Sequence, residues 1–219
     1  MVRGSESAAA AGPAPLIWLT GLSSAGKTTI ARIVSGMLRG GGFDVQWLDG
    51  DMMRERLGRE LGFDKTGRDE NVGRIAYVAA LLNRHGVIVV VSAIAPYREI
   101  RDEIRGSSPA FIEVYVKASL ATCERRDVKG LYRRARAGAI RQFTGVDDPY
   151  EPPLAPEVEC DTERDTASAC AQKVVDTVME MVSRGRASRA CAPCGSAAPP
   201  AGGPEMHDGS IEACRRPSA

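Results

Sequence analysis

The chain has 219 residues, of which 43% are hydrophobic and 26% are charged, and its formal net charge is +1. This length allows one domain with a sizeable core, with or without a tail. The nearly neutral charge argues against a nucleic-acid partner. No apolar run approaches the roughly 20 residues of a membrane-spanning helix, and we recognise no secretion signal. We therefore expect a cytoplasmic protein that does not bind a membrane.

Apolar runs and helical patterns alternate from Leu16 to about Val182. Strands are predicted over five short apolar runs, at residues 16–20, 43–48, 87–91, 111–116 and 158–160. Helices are predicted at residues 28–38 and 72–84 and around an apolar stripe formed by Val174, Val175, Val178 and Met181. The run at 87–91 is nearly all β-branched, as expected of a strand that is buried on both faces. This alternation predicts an α/β fold with a mostly parallel sheet and helices on both faces.

The two ends of the chain differ in composition from the middle. We expect a flexible N-terminal arm over residues 1–14, a single domain over 15–184, and a disordered tail over 185–219. The tail is rich in Ala, Gly, Pro and Ser, so it cannot bury enough apolar area to offset its ordering entropy. Cys191 and Cys194 have the spacing of metal ligands, but no second such pair exists. We interpret that spacing as incidental.

The segment after the first predicted strand, residues 21–29, reads GLSSAGKTT and has the G-x-x-x-x-G-K-[ST] pattern. Glycines let backbone N–H groups turn toward phosphate oxygens, and the following helix directs its positive end at the same anion. In this pattern the lysine, Lys27, reaches the β- and γ-phosphates, and the Thr28 hydroxyl is a Mg²⁺ ligand. The candidate ATP-binding residues of this loop are Gly21, Leu22, Ser23, Ser24, Ala25, Gly26, Lys27, Thr28 and Thr29.

The loop pattern alone does not separate a kinase from an NTPase motor or a switch. The chain is too small for most motors, and it has no guanine-specifying N-K-x-D motif. Two carboxylates, Asp49 and Asp51, follow the second predicted strand, at the edge where open α/β sheets bind ligands. An Asp-Gly turn is the alternative interpretation of that pair. With the phosphate-binding loop nearby, we favour a small-molecule kinase.

The motifs GLSSAGKTT, LDGD, RDENVGRI, APYR, CERRDVKGLYRRAR and FTGVDDPYEPP occur in an order and spacing that resemble the adenylylsulfate kinase (APS kinase) family. That family transfers the γ-phosphoryl group of ATP to the ribose 3′-hydroxyl of adenosine 5′-phosphosulfate (APS). The products are ADP and 3′-phosphoadenosine 5′-phosphosulfate (PAPS). The resemblance implies a P-loop kinase fold, Mg²⁺ with ATP as donor, a homodimer, and a functional link to ATP sulfurylase.

The resemblance also implies roles for individual residues. Asp49 would lie near the 3′-hydroxyl as its orienting group or base, and Lys129 would lie in a lid near both nucleotides. Arg125 and Arg126 would belong to the same basic lid, and Arg125 would contact ATP. Surface solvation is as good an interpretation for Arg133, Arg134 and Arg136. The implied catalytic residues are Lys27, Asp49 and Lys129. The implied substrate-binding residues are Asp51, Arg54, Phe63, Arg68, Asn71, Ile94, Lys129 and Phe143.

Within the substrate-binding set, Arg54 and Arg68 would hold the phosphosulfate, because guanidinium forks suit such oxygens. Phe63 and Phe143 would sandwich the substrate adenine, and base–aromatic stacking contributes about 1–3 kcal/mol per base. Core packing is the alternative role for both rings. We expect it less for Phe143, which lies in a glycine-containing loop, than for Phe63.

One position departs from the family pattern. Ala95 stands where many family members have a serine that has been regarded as a phosphorylated intermediate. Ser92 is close in sequence, but on a continuing strand its side chain would face away from that of Ala95. We therefore expect direct in-line transfer from ATP to the acceptor.

Two other functions remain open at this point. The first is a P-loop kinase that acts on another hydroxyl, such as that of a sugar acid or an antibiotic; the predicted adenine sandwich argues against it. The second is a non-catalytic nucleotide-binding module that regulates a sulfate-activating partner. The presence of Lys27, Thr28 and Asp49 argues against that function.

Overall fold

The computed structural model describes the backbone of residues 14–190 and the side chains of residues 14–184. The strands are β1 (Leu16–Thr20), β2 (Val45–Asp49), β3 (Ile88–Ser92), β4 (Phe111–Lys117) and β5 (Val158–Asp161). The helices are α1 (Lys27–Gly40), α2 (Gly50–Leu57), α3 (Lys65–Arg84), α4 (Arg98–Ser107), α5 (Leu120–Arg126), α6 (Leu131–Arg136) and α7 (Ala167–Ala190). No helix among the described residues is long and apolar enough to cross a membrane.

The five strands form one parallel sheet in the order β2-β3-β1-β4-β5. Every residue of β1 and β3 is buried, which confirms the prediction that the run around 87–91 has helices over both faces. Residues alternate between two core clusters, so that Ile17 and Val90 pack on the face covered by α1 and α7. Trp18 and Val91 pack on the opposite face, with residues of α3 and α4. The predicted α/β fold is confirmed.

All of the predicted strands and helices exist, but several of their bounds differ from the prediction. Helix α3 begins at Lys65 rather than at residue 72, because the Asp64 side chain caps it by accepting a hydrogen bond from the Gly67 amide at 2.8 Å. Helix α7 continues to Ala190, past the predicted domain boundary at residue 184. The predicted arm before residue 14, the Cys191–Cys194 pair and the tail beyond residue 190 lie outside the described residues.

The strand order creates a crevice at the carboxyl edge of the sheet. From β1 the chain crosses to β2 and β3 on one side, and later to β4 and β5 on the other. The loops that follow β1 and β3 therefore diverge at this edge, which is where open α/β sheets bind ligands. The segment 21–26 and the ends of β2 and β3 meet there.

A buried ion pair shapes the loop that follows β3. The guanidinium of Arg101, which is 1% exposed, donates to Glu113 Oε1 at 2.7 Å. It also donates to the carbonyl oxygens of Ala95 at 2.5 Å and of Glu151 at 2.6 Å. A buried charge is stable only when such partners surround it. Arg101 therefore ties helix α4 to the loop around Ala95 and to the segment before β5.

Candidate active site

The loop between β1 and α1, residues 21–26, forms a cradle of backbone amides. Gly21, Ser24 and Gly26 have φ angles of 146°, 59° and 111°. A Cβ on Gly21 would lie 2.3 Å from the carbonyl oxygen of Val116, so this position requires glycine. Helix α1 begins directly after this turn, at Lys27, and its N-terminus faces the crevice. This geometry confirms the local structure that the sequence pattern predicts.

Lys27 is the buried cation of this loop. Its Nζ donates hydrogen bonds to the carbonyl oxygens of Gly21 at 2.8 Å and of Leu22 at 2.7 Å. Burial lowers the pKa of Lys27 to about 8, and the nearby Asp51 carboxylate only partly counteracts this effect. The charged form of Lys27 is thus less favoured than in an exposed lysine, and an anion bound at this position would favour it.

Thr28 and Asp49 meet across the crevice from α1 and β2. The Thr28 hydroxyl donates to Asp49 Oδ2 at 3.3 Å. The other carboxylate oxygen, Oδ1, caps α2 by accepting from the amides of Asp51 at 3.1 Å and Met52 at 3.3 Å. The structure therefore brings the predicted metal-binding hydroxyl and the predicted acceptor-side carboxylate together, although they are far apart in the sequence.

A third side chain, which the sequence analysis did not include in the site, also binds Asp49. Ser92 Oγ donates to Asp49 Oδ2 at 3.0 Å, and the indole N–H of Trp47 donates to Ser92 Oγ at 3.0 Å. Ser92 faces the α1 side of the sheet, whereas Ala95 packs in the cluster on the other side. The strand alternation of Trp47 and Asp49 was the only sequence signal for this contact.

The segment around α6 closes over the loop from one side. Lys129 Nζ forms an ion pair with Asp51 at the start of α2. The Tyr132 hydroxyl is buried and donates to the carbonyl oxygen of Ser23 at 3.1 Å. The Asp127 carboxylate accepts from the amides of Tyr132 and Arg133 and so starts α6. These contacts place the predicted lid residue Lys129 opposite the phosphate-binding loop.

Arg68 joins the two loops that carry the predicted adenine-binding rings. Its guanidinium donates to the carbonyl oxygen of Phe63 at 2.6 Å. It also donates to the Thr144 hydroxyl and to the carbonyl oxygen of Gln142, on either side of Phe143. The Arg68 side chain is only 11% exposed. In this structure the Arg68 guanidinium therefore connects the two loops. Arg54 likewise donates to backbone carbonyl oxygens, those of Leu61 at 3.0 Å and of Gly62.

The burial of the Phe63 and Phe143 rings differs from what we expected. Phe63 is 60% exposed, with the Arg54 guanidinium 4.1 Å from its ring centroid. Phe143 is partly buried against the α1-side core, and its ring meets that of Tyr132 edge-on with centroids 5.0 Å apart. The sequence analysis favoured core packing for Phe63 over Phe143, and this order was wrong. The loop of Phe143 folds back onto α6, a long-range contact that its glycine does not reveal.

Three further residues of the predicted site form no described hydrogen bond with Lys27, Thr28, Asp49 or Arg68. Asn71 is buried below the end of α2, where its Oδ1 would lie 2.5 Å from a Cβ on Gly58. The Ile94 carbonyl accepts from the Thr20 hydroxyl at 2.6 Å. Arg125 donates to Thr122, within its own helix.

Two further residues reach the phosphate-binding loop: Thr162, which the sequence analysis did not include, and Arg126, which it placed in the lid without a binding role. The Thr162 hydroxyl, directly after β5, donates to the carbonyl oxygen of Ala25 at 2.9 Å. Arg126 donates to Thr162 Oγ1 at 3.0 Å and to the Ala25 carbonyl oxygen at 3.4 Å. The short fifth strand brings Thr162 to the loop, and the sequence carried no separate signal for that contact.

Comparisons with known proteins agree with this geometry. The family model described as adenylylsulphate kinase matches residues 14–161. The chain is 56% identical over 165 residues to an adenylyl-sulfate kinase of Microcystis aeruginosa, covering 75% of this chain and 91% of the relative. It is 51% identical over 164 residues to an adenylyl-sulfate kinase of Halothermothrix orenii, covering 75% of this chain and 89% of the relative.

Solved structures give the same result. The structure of the Mycobacterium tuberculosis APS kinase CysC in complex with AMPPNP and APS has a TM-score of 0.73 and 38% identity, covering 76% of this chain and 98% of that one. A sugar kinase from Janibacter has a TM-score of 0.55 but only 17% identity, covering 79% of this chain and 98% of that one. This second likeness extends to the fold alone.

Proposed function

The chain belongs to the adenylylsulfate kinase family, and we propose from this premise that it transfers the γ-phosphoryl group of ATP to the ribose 3′-hydroxyl of APS, giving PAPS and ADP. The main observation for this proposal is that the Thr28 hydroxyl lies 3.3 Å from Asp49 Oδ2. It places a residue of the phosphate-binding loop beside a carboxylate that can orient an acceptor hydroxyl. Phosphoryl transfer depends mainly on such positioning and on charge stabilisation.

Thr28 and Asp49 also fit the Mg²⁺ ion that would accompany ATP. Hydroxyl and carboxylate oxygens are hard ligands of the kind that Mg²⁺ prefers, and the ion usually takes only one or two protein ligands beside phosphates and waters. When bound, it would neutralise charge on the β- and γ-phosphate oxygens. Lys27, which is buried beside the same loop, would add the second positive charge there.

The acceptor side is supported by the pair of loops that Arg68 joins. These loops carry Phe63 and Phe143, whose faces we propose for stacking on the adenine of APS. The Arg54 guanidinium lies over the Phe63 ring, and we propose that it binds the phosphosulfate. A kinase for a sugar acid would have no use for two such rings, which supports an adenine nucleotide as the acceptor.

We propose direct in-line transfer, without a phosphorylated enzyme. Ala95 has no hydroxyl, is 2% exposed and has a φ of 41°. Ser92, at the end of β3, donates its proton to Asp49 and is itself buried. A phosphoserine on residues 88–98 in protein quenched during turnover would contradict this part of the proposal.

The defining experiment is incubation of the purified protein with Mg-ATP and APS, with ADP and PAPS followed together. We expect the two products in equal amounts and only when APS is present. Gluconate and other sugar acids serve as competing acceptors, and ADP formation with one of them alone would favour the sugar-kinase alternative. Tight binding of ATP and APS without either product would favour the regulatory module.

The pH dependence follows from the buried ammonium group. The pKa of Lys27 is about 8 in the free protein, and ATP phosphates favour its protonated form. We therefore expect kcat/KM for ATP to be full well below pH 8, to be half-maximal near pH 8 and to fall further at higher pH, because kcat/KM reports ionisations of the free enzyme. The decline in kcat should occur at higher pH, since bound phosphates raise the pKa of Lys27.

The control for this profile is Lys27→Arg, whose guanidinium stays charged across the range. We expect its kcat/KM to be lower but independent of pH between 7 and 9.5. A wild-type profile that stays level through pH 9.5, or an equal decline in the variant, would show that another group sets the pH dependence.

Arg68→Met tests the tie between the two aromatic loops. We expect KM for APS to rise by about tenfold, which corresponds to roughly 1.4 kcal/mol of lost hydrogen bonding, while KM for ATP changes little. Thr144→Val should raise KM for APS in the same direction, because it removes one acceptor of the Arg68 fork. Arg74→Met is the matched control, since Arg74 lies on the same helix but contacts Glu60, Glu70 and the Leu57 carbonyl. Equal changes in Arg68→Met and Arg74→Met would refute the tie.

Assembly and location also belong to this proposal. We propose a homodimer and a functional link to an ATP sulfurylase that supplies APS. A hexameric APS kinase from Thiobacillus denitrificans, with a TM-score of 0.56, 32% identity, and coverage of 75% of this chain and 28% of that one, supports self-association. Light scattering on the full chain tests the assembly.

A cytoplasmic location is supported by the free cysteines Cys123, Cys160 and Cys170, which accord with a reducing compartment.

A further inference from the structure

We propose that Ser92 and Trp47 are positioning residues for Asp49. They form a chain of hydrogen bonds, here called the Trp47–Ser92 relay, that runs from the indole N–H through the serine hydroxyl to Asp49 Oδ2. This inference rests on the proposed function, because it assigns the relay the task of holding the carboxylate that orients the acceptor hydroxyl. Its chemistry requires no additional ligand or cofactor.

The relay follows from the register of two neighbouring strands. Asp49 is the last residue of β2, Ser92 is the last residue of β3, and the two are paired in the parallel register. Trp47 lies two positions before Asp49, so both side chains leave β2 on the same face. Trp47 packs partly against the α1-side core, which fixes its ring. The sheet itself therefore sets all three side chains side by side.

The direction of the two hydrogen bonds is determined by the groups involved. An indole N–H is only a donor, so it occupies a lone pair of Ser92 Oγ. A serine hydroxyl has a single proton, and the carboxylate oxygen Oδ2 of Asp49, at 3.0 Å, is its acceptor. Because Trp47 holds the oxygen from one side, the Ser92 hydroxyl cannot turn freely. Its proton stays aimed at Asp49 Oδ2.

This arrangement divides the Asp49 carboxylate between two tasks. Oδ1 is held by two backbone amides at the start of α2, whereas Oδ2 accepts from Thr28 and Ser92. In the proposed function the Thr28 oxygen binds Mg²⁺. The Ser92 bond is a second side-chain contact that does not involve the metal-binding hydroxyl, and it helps keep Oδ2 in place while phosphoryl transfer occurs. Preorganisation of this kind matters because small displacements of a reacting group lower the rate strongly.

The burial of Ser92 indicates that it positions Asp49 and does not itself react with either nucleotide. Only 5% of its surface is exposed, so an entering phosphoryl group would have to displace packed side chains. Its proton already has an acceptor. Ser92 therefore acts through Asp49 rather than on either nucleotide.

The first test compares three variants of the full-length protein. We expect Ser92→Ala to lower kcat by about tenfold, as fits the loss of one hydrogen bond to a charged group, while KM for ATP and KM for APS change less than twofold. Ser92→Thr, which keeps the hydroxyl, should recover most of kcat. Trp47→Phe keeps an aromatic ring, though a smaller one, and removes the N–H; it should lower kcat by about threefold.

The matched control is Ser35→Ala. Ser35 lies on α1, is 1% exposed, and its Oγ has no hydrogen-bond partner within the part of the chain that the structure describes. This variant also deletes one buried hydroxyl, and its kcat should equal that of the wild type. An equal loss of kcat in Ser35→Ala and Ser92→Ala would show a general packing effect and overturn the relay.

The second test is a double-mutant cycle with Asp49→Asn. If Ser92 acts only through the Asp49 carboxylate, Ser92→Ala should cause less than a twofold further loss in the Asp49→Asn background. A full tenfold further loss there would overturn the proposal. The wild type and Ser35→Ala report separately on the proposed function. If they make no PAPS, that function fails; if they make PAPS and Ser92→Ala does so equally fast, only the relay fails.

Discussion

Lys27→Met is expected to reduce kcat by about 1000-fold, the upper end of the range for removing one preorganised charge or donor from a transition state. Lys27 lies under the phosphate-binding loop and is 9% exposed, so its ammonium group is the positive charge that the fold buries at this point. Without it, the charge that develops on the transferred phosphoryl group would lose one of its two proposed cations. The measurement is steady-state production of PAPS with saturating Mg-ATP and APS.

The fold should tolerate Lys27→Met. Burial already disfavours the charged form of Lys27, as its lowered pKa shows, and methionine has a similar length without a charge. Thermal unfolding therefore should show a folded variant with a cooperative transition. The matched control is Lys117→Met, because Lys117 is an exposed lysine whose ion-pair partner is Glu159; its kcat should be unchanged. A folded Lys27→Met that retains more than one-tenth of the wild-type kcat would contradict the phosphate-binding role.

Asp49→Asn is expected to lower kcat by about 100-fold, at the low end of the effect of losing a preorganised electrostatic group. Asparagine keeps the shape of the side chain and remains a good N-cap, so the amides of Asp51 and Met52 retain an acceptor. What the variant loses is the negative charge beside Thr28 and Ser92. The loss should appear in single-turnover measurements with saturating substrates, which report the chemical step separately from product release.

Asp49→Ala separates the two tasks of this residue. Its kcat should fall as far as that of Asp49→Asn, but it should also lose about 1 kcal/mol of unfolding free energy, because the cap of α2 disappears. Urea titration measures that difference. Asp44→Asn is the control on the same strand segment, since exposed Asp44 precedes the opposite end of β2. If Asp49→Asn kept the wild-type kcat, Asp49 would be a structural cap and nothing more.

The parts of the site that are built from neighbouring residues could be predicted from the sequence. The loop at 21–26 was one of them, because glycine at positive φ and an amide-rich turn before a helix are local requirements. The buried strand β3 was another, since a continuous run of β-branched residues is typical of a strand that is buried on both faces. The position of Asp49 at the end of β2 followed from the same strand pattern. In each case the physical cause lies within about ten residues of the motif.

Contacts between distant segments were decided only by the tertiary structure. Ser92 reaches Asp49 because β2 and β3 are neighbours in the sheet. The sequence of one strand does not determine which other strand will lie beside it. Arg68 ties the Phe63 loop to the Phe143 loop across 74 residues of sequence, and the same long-range folding buries part of Phe143 while it leaves Phe63 exposed. Residue types and local spacing determined the chemistry that this protein can use. The packing of strands and loops decided which side chains share one carboxylate, because that depends on contacts whose partners are remote in the chain.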